Sequence, residues 1–137
     1  MEDKLIKITP NKEKALSILK MVETTLEMIM QLDQNKFPSN ISKEYYEIIR
    51  ELISIVLLLD GYKSSGDGAH KKQIDYLELN YKEFSRAEIS LIDDLRITRN
   101  KIAYDGFFVK KEFIERKELS IQKVIQKLRK IINVKIK

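Results

Sequence analysis

Apolar residues recur with a helical period of about 3.6 in five separate segments of the chain. The first of these segments runs from Ala15 to Met30. Thr9 and Pro10 precede it and are typical of a helix start, with Thr as the N-cap and Pro at the first helical position. We expect this helix to end near Leu32.

The second and third segments lie on either side of a stretch that contains two glycines. The second helix is expected to open at Ser39 or Ser42, and residues 55–59 near its end are apolar all round. Such a run predicts either the centre of a bundle or a subunit interface. Residues 63–68, KSSGDG, predict a flexible loop, and a shorter helix follows over about 69–81.

The remaining two helices have different signals. Residues 85–88, Ser-Arg-Ala-Glu, form a capping box that opens the fourth helix, and Gly106 ends it. Residues 107–109, two Phe and a Val, are expected to pack under the bundle, and the fifth helix is predicted from about 118 to 133. Residues 1–8 are expected to form a flexible arm.

Composition supports a single all-α domain over residues 1–137, a five-helix up-and-down bundle. Gly and Pro together number only six, too few for an architecture of strands and turns. The chain has no Cys and one His, which excludes disulfides, Cys-ligated metals and His-rich zinc sites, so neither a metal nor a cofactor is predicted. The chain has no signal-peptide pattern and no apolar run approaching 18 residues, so we expect a cytoplasmic protein without membrane contact.

The positive charge is concentrated at the C-terminal end. Residues 110–137 contain ten Lys or Arg and three Glu, a net charge of +7, whereas the preceding 109 residues sum to −2. A basic helix of this kind is typical of nucleic-acid contact, but it is equally typical of a Lys-rich face in solvent.

The stretch with the most unusual pattern is LRITRNKIAYDG, residues 95–106. On a helix, Arg96, Asn100 and Tyr104 follow one another at intervals of four residues. Arg99 falls beside them, inside an apolar stripe formed by Leu91, Ile92, Leu95, Ile102 and Ala103. Burying an unpaired charge is costly, so this stretch predicts a partner or a ligand for the guanidinium.

Arg99 and His70 each have an alternative, purely structural interpretation. Arg99 could extend to the surface or pair with a carboxylate at the edge of the core, such as Asp93 or Asp94. His70 is at a core-facing position of the third helix, where a lone His is commonly a hydrogen-bonded core residue. Otherwise it faces a site near the end of the fourth helix.

A five-helix domain whose fourth helix carries Arg99-Asn100 and then an aromatic residue at 104 resembles the HEPN superfamily of prokaryotic nucleotide-binding and RNase domains. The family motif is Arg, four to six residues and then His, often with Asn directly after the Arg. The resemblance implies a dimer in which two copies of the motif face each other across one cleft. In active members it implies RNA cleavage without metal, with the His acting on the 2′-hydroxyl and the Arg holding the phosphate.

The chain departs from that motif at the residue that carries the chemistry. Tyr104 stands where the family has His, and a phenol is a poor general base near neutral pH. Gly106 stands where HEPN toxins that pair with a small nucleotidyltransferase carry a Tyr. The resemblance therefore favours the fold and the dimer cleft over cleavage.

The predicted site has Arg99, Asn100 and Tyr104 at the catalytic positions, with Arg96 and His70 as ligand-binding residues. The favoured function is a HEPN-like domain of a toxin–antitoxin or defence system that binds a nucleotide, RNA or a partner and has a degenerate catalytic motif. The alternatives are an active metal-independent endoribonuclease and a helical dimerisation module without a ligand. The expected partners are a second copy of the chain, RNA or a nucleotide, and a nucleotidyltransferase.

Overall fold

A computed structural model describes residues 4–66 and 68–137 of the chain. The described residues form five helices and two short strands, in the order β1 (Lys4–Lys7), α1 (Lys12–Met30), α2 (Pro38–Asp60), β2 (Tyr62–Ser65), α3 (Ala69–Asn80), α4 (Arg86–Asp105) and α5 (Lys111–Ile136). The predicted all-α bundle of five helices is confirmed. None of the helices within the described ranges is both long and apolar enough to cross a membrane.

Helix α2 is the centre of the bundle, because it packs against each of the other four helices. Its residues 55–58 are almost fully buried within the chain, in one cluster with apolar side chains from all five helices. Burying an aliphatic side chain of this size contributes roughly 1.5–3 kcal/mol. Of the two alternatives for this apolar run, the bundle centre is therefore correct.

Helix α1 begins two residues later than Thr9 and Pro10 predict. Its N-cap is Asn11, whose side-chain oxygen accepts a hydrogen bond from the Lys14 amide at 3.0 Å. The prediction of Thr9 as the cap is wrong because a better capping residue follows it, and Asn ranks above Thr at this position.

Helix α2 also begins differently from its prediction. Pro38 is its first residue and Phe37 is the N-cap, so neither Ser39 nor Ser42 opens it. Proline is favoured at the first helical position because its missing N–H would have no partner there. The hydroxyl of Ser39 instead accepts a hydrogen bond from the amide of Val109, at 2.7 Å.

The two strands overturn two predictions of flexibility. β1 pairs antiparallel with β2, with Lys4 opposite Ser65 and Lys7 opposite Tyr62, so the expected arm and the first part of the expected loop form a small sheet. Neither segment has a strand signal of its own, and the backbone hydrogen bonds come from a partner far away in sequence. Residues 1–3 of the arm and residue 67 of the loop lie outside the described residues.

The fourth helix follows its prediction at both ends. The Ser85 hydroxyl accepts from the Glu88 amide at 3.1 Å, and the Glu88 carboxylate accepts from the Ser85 amide at 2.9 Å, which completes the capping box. Gly106 ends the helix with a φ of 64°, a left-handed conformation that glycine adopts without strain.

Helix α5 begins at Lys111, seven residues before its predicted start at 118. Ile114 is fully buried and lies two turns before Ile121, so the early residues continue the same apolar stripe. This start shortens the connection from α4 and leaves Phe107 and Phe108 exposed, whereas Val109 is buried. The prediction that 107–109 pack under the bundle is therefore wrong for the two Phe residues.

Candidate functional site

The structure brings the five predicted site residues together around one cavity of about 300 Å³. The cavity lies between the N-terminus of α3, which contributes His70, and the C-terminal half of α4, which contributes Arg96, Arg99, Asn100 and Tyr104. The four residues on α4 share its surface because Arg96, Asn100 and Tyr104 follow one another at intervals of four and Arg99 lies three residues after Arg96.

The C-terminal half of α4 extends beyond the core. Leu91, Ile92 and Leu95 are buried as the predicted stripe requires, but Ile102 is only half-buried and Ala103 is exposed. The predicted stripe is therefore correct for the first half of the helix and wrong for its end. The Arg99 guanidinium consequently lies at the margin of the core, between buried packing and the cavity.

A carboxylate that the sequence did not single out fixes the position of Arg99. Glu47 on α2 accepts from Arg99 Nε at 3.1 Å through one oxygen and from Arg50 Nη2 at 2.9 Å through the other. Asp93 and Asp94, the predicted partners of Arg99, do not take this place. The signal available in the sequence was that Glu47 is the one charged residue of residues 45–49, Tyr-Tyr-Glu-Ile-Ile.

The other two cations of the cavity share a different carboxylate. Arg96 Nε donates to Asp93 at 2.9 Å, and Lys71 Nζ lies 3.8 Å from the same side chain. Arg96, Lys71 and Arg99 all line the cavity, whereas Asp93 and Glu47 are not among its described lining residues. The described lining therefore presents three cationic side chains to a ligand. Carboxylates hold Arg96 and Arg99 by hydrogen bonds, and Lys71 lies 3.4 Å from Asp75 and 3.8 Å from Asp93.

The N-terminus of α3 reinforces the positive potential. Ala69, His70 and Lys71 are its first three residues, and all three line the cavity. Backbone N–H groups in a first helical turn carry a partial positive charge. Anions bind at helix N-termini for this reason. The N-cap residue, Gly68, offers no side chain of its own to cap these groups, and the Ala69 amide donates to the Gly66 carbonyl at 3.2 Å.

His70 is half-buried and lines the cavity at the C-terminal half of the fourth helix, so it does not lie inside the core. Its ring lies 6.2 Å from the ring of Tyr46, centroid to centroid. Burial lowers its pKa below the ordinary value, and the neighbouring Arg50, Arg99 and Arg96 lower it further, while Glu47 partly opposes them. The lowered pKa favours the neutral imidazole near pH 7.

The lowered pKa of His70 predicts that the protein loses stability as the pH falls through the ordinary range of His. Below about pH 6.5 the unfolded chain binds a proton at this residue more readily than the folded chain does, so protonation favours unfolding. We expect the Tm to fall between pH 7.5 and pH 5.5, and to fall less in His70→Gln. His70 is the only His in the chain, so an equal fall in both proteins would contradict the prediction.

Tyr104 and Asn100 complete the surroundings of Arg99. The Tyr104 ring centroid lies 5.9 Å from the guanidinium carbon, within the range of a cation–π contact, and Arg99 Nη1 donates to Asn100 Oδ1 at 3.3 Å. Burial opposes the charge of Arg99, but Tyr104 and Glu47 outweigh it and raise the pKa of the guanidinium. Arg99 is thus a fixed positive charge.

The basic C-terminal helix is partly used for packing within the chain. Lys127 pairs with Glu88 at 2.6 Å, Arg129 lies 3.6 Å from a carboxylate of α1, and Lys135 pairs with a carboxylate of α2. Lys123 and Lys130 are exposed, and with Lys127 they line a groove of about 670 Å³ beside the N-terminus of α4. Part of the predicted basic face is therefore already paired with carboxylates of the same chain.

Comparison of the chain with models of protein families, with curated proteins and with solved structures finds no match.

Proposed function

We propose that the chain is a HEPN-like domain that binds a phosphate-bearing ligand, RNA or a nucleotide, in the cavity between α3 and α4. The observation that carries this proposal is the fixed guanidinium of Arg99, which Glu47 orients beside Lys71 and Arg96 at a helix N-terminus. Arginine is the side chain best suited to hold phosphate, because its planar fork of donors matches two phosphate oxygens.

The donors of Arg99 are only partly used within the chain. Among the described residues, Glu47 accepts from Nε, Asn100 accepts from Nη1 and the Tyr104 hydroxyl also hydrogen-bonds the guanidinium. A guanidinium has five N–H groups, so two of them stay available for a ligand. The same contacts that hold Arg99 in place thus leave it able to bind.

Cleavage is the less favoured part of the HEPN resemblance, and we propose that the catalytic motif is degenerate. Tyr104 occupies the position of the family His and has no imidazole to exchange protons near neutral pH. One observation favours the second candidate, a metal-independent endoribonuclease. His70 lies on the same cavity as Arg99 and its lowered pKa favours the neutral imidazole, so it could accept a proton from a bound 2′-hydroxyl.

The proposed partners follow from the HEPN resemblance and from a toxin–antitoxin or defence role. They are a second copy of the chain and a nucleotidyltransferase. The apolar end of α2 no longer supports the homodimer, because residues 55–58 are buried within the chain itself. A dimer would have to form through another surface.

Replacing Arg99 by Lys is expected to weaken binding of a labelled single-stranded RNA by about 10- to 100-fold. Lysine keeps the charge but loses the fork, and a hydrogen bond to a charged group is typically worth about 1.5–3 kcal/mol. Fluorescence anisotropy measures the affinity. Arg86→Lys is the matched control, since Arg86 is exposed at the other end of α4 and should bind like the native protein. Equal affinities in all three proteins would refute the proposed site.

A further inference from the structure

Three aromatic side chains are exposed at the C-terminal end of α4 and in the connection that follows it. Tyr104 is 77% exposed, Phe107 49% and Phe108 86%, and we call these three residues the aromatic platform. Tyr104 also lines the cavity. Chain geometry limits the Cα of Phe108 to within about 14 Å of the Cα of Tyr104. Large exposed aromatic side chains this close together in the chain favour a surface that binds a ligand or partner.

The connection that carries the aromatic platform is fixed at both ends. At one end, Gly106 turns the chain out of α4, and the Phe107 amide donates to the Lys101 carbonyl at 3.2 Å. At the other end, the Val109 side chain is buried and its amide donates to Ser39 Oγ at 2.7 Å. The platform is therefore held outward by the fold, which lowers the conformational entropy that a ligand must overcome.

Each of the first two rings has a cation beside it. The guanidinium carbon of Arg99 lies 5.9 Å from the Tyr104 ring centroid, and Lys101 Nζ lies 5.8 Å from that of Phe107. Aromatic rings alternating with cations are what proteins use to bind single-stranded nucleic acid, with bases stacking on the rings and phosphates meeting the charges. A hydrophobic interface with another protein needs no such cations.

We propose that the aromatic platform stacks unpaired bases of a single-stranded RNA whose phosphate lies in the Arg99 cavity. This inference rests on the proposed function and adds the class of RNA to it. A duplex is a poor ligand for this surface, because its bases are already stacked on one another and present no free face. A ligand recognised only by its phosphates would gain nothing from the platform.

The test compares two substitutions of Phe108, the most exposed ring. Phe108→Leu keeps most of the apolar side chain but removes the aromatic face, whereas Phe108→Tyr keeps the face. We expect Phe108→Leu to weaken binding of a labelled single-stranded RNA by about five- to a hundredfold and Phe108→Tyr to stay within about twofold of native. Leu119→Ala, a change at an exposed apolar residue of α5, is the control and should bind like the native protein.

Three RNA probes, a single strand, an abasic strand and a duplex, distinguish failure of this inference from failure of the proposed function. The native protein is expected to bind the single strand more tightly than an abasic strand of equal length or a duplex of the same sequence. Equal binding of all three, with Arg99→Lys still defective, would overturn base stacking and leave the phosphate site standing. The Phe108→Leu protein could also bind RNA normally but sediment as a monomer where the native protein sediments as a dimer. This result would assign the aromatic platform to contact with a second copy of the chain, and it would also overturn the inference.

Discussion

Replacing Tyr104 by His is expected to give the protein RNA cleavage that resists chelators, at a rate about 10²- to 10⁴-fold above that of the native protein. A positioned acid or base is typically worth this factor, and an imidazole exchanges protons near neutral pH where a phenol does not. The structure supplies the geometry for the exchange. Tyr104 lines the cavity and its ring lies 5.9 Å from the guanidinium carbon of Arg99, so a His there would lie beside the proposed phosphate site.

Cleavage is measured by incubating a labelled RNA with purified protein and excess EDTA and separating the products on a gel. Tyr104→Phe is the matched control, since it alters the same side chain without adding an imidazole. Adding Arg99→Ala to the Tyr104→His protein should abolish the gain, because the phosphate would no longer be held.

Two results would contradict the proposal that the motif is degenerate and that a His at position 104 restores its activity. A native protein that already cuts RNA at a high rate, and loses this activity in His70→Gln, would favour the endoribonuclease and place the proton acceptor at His70. A Tyr104→His protein that stays inactive would indicate that the cavity does not admit RNA in a reactive position. The domain would then be a binding or dimerisation module.

The part of the site that comes from one helix was predictable from the sequence. Helical spacing placed Arg96, Asn100 and Tyr104 on one edge of α4, and the capping box at Ser85 fixed where that helix begins. The turn at Gly106 fixed its end. These features are local, since they depend on residues within a few positions of one another.

Features that depend on distant pairing were not predictable in the same way. The partner of Arg99 is Glu47, 52 residues away, because the packing of α4 on α2 brings this carboxylate closer than Asp93 or Asp94. The sheet of β1 and β2 likewise pairs residues about 60 positions apart. In each case the partner is far away in sequence, so no local pattern indicates it.

A cluster at one end of the bundle also depends on residues that are far apart in sequence. It joins α2, α3 and α5. Asp60 is the last residue of α2, and its carboxylate accepts hydrogen bonds from the phenols of Tyr76 at 2.8 Å and Tyr81 at 2.6 Å. Lys135 near the end of α5 donates to its second oxygen. Burial, followed by the hydrogen bond to Asp60, raises the pKa of both Tyr hydroxyls, so they stay protonated donors at any ordinary pH.

The position of Asp60 would be unfavourable without these donors. A negative charge at the C-terminus of a helix is opposed by the helix dipole, and the Asp60 side chain is only 15% exposed to solvent. The two phenols and the ammonium group offset both costs. Removing the carboxylate would leave three donors without their acceptor, one of them charged.

Asp60→Ala is therefore expected to lower the free energy of unfolding by about 3 kcal/mol, measured by urea denaturation at pH 7. Asp60→Asn, which keeps an acceptor but not the charge, should lose less. The control is Glu23→Ala, because Glu23 pairs with Arg129 at 3.6 Å in solvent and such a surface pair contributes about 1 kcal/mol at most. If Asp60→Ala cost no more than Glu23→Ala, the cluster would not hold α3 and α5 to the end of α2. The N-terminal part of α3, which carries His70, would then be positioned by its contacts with α4 instead.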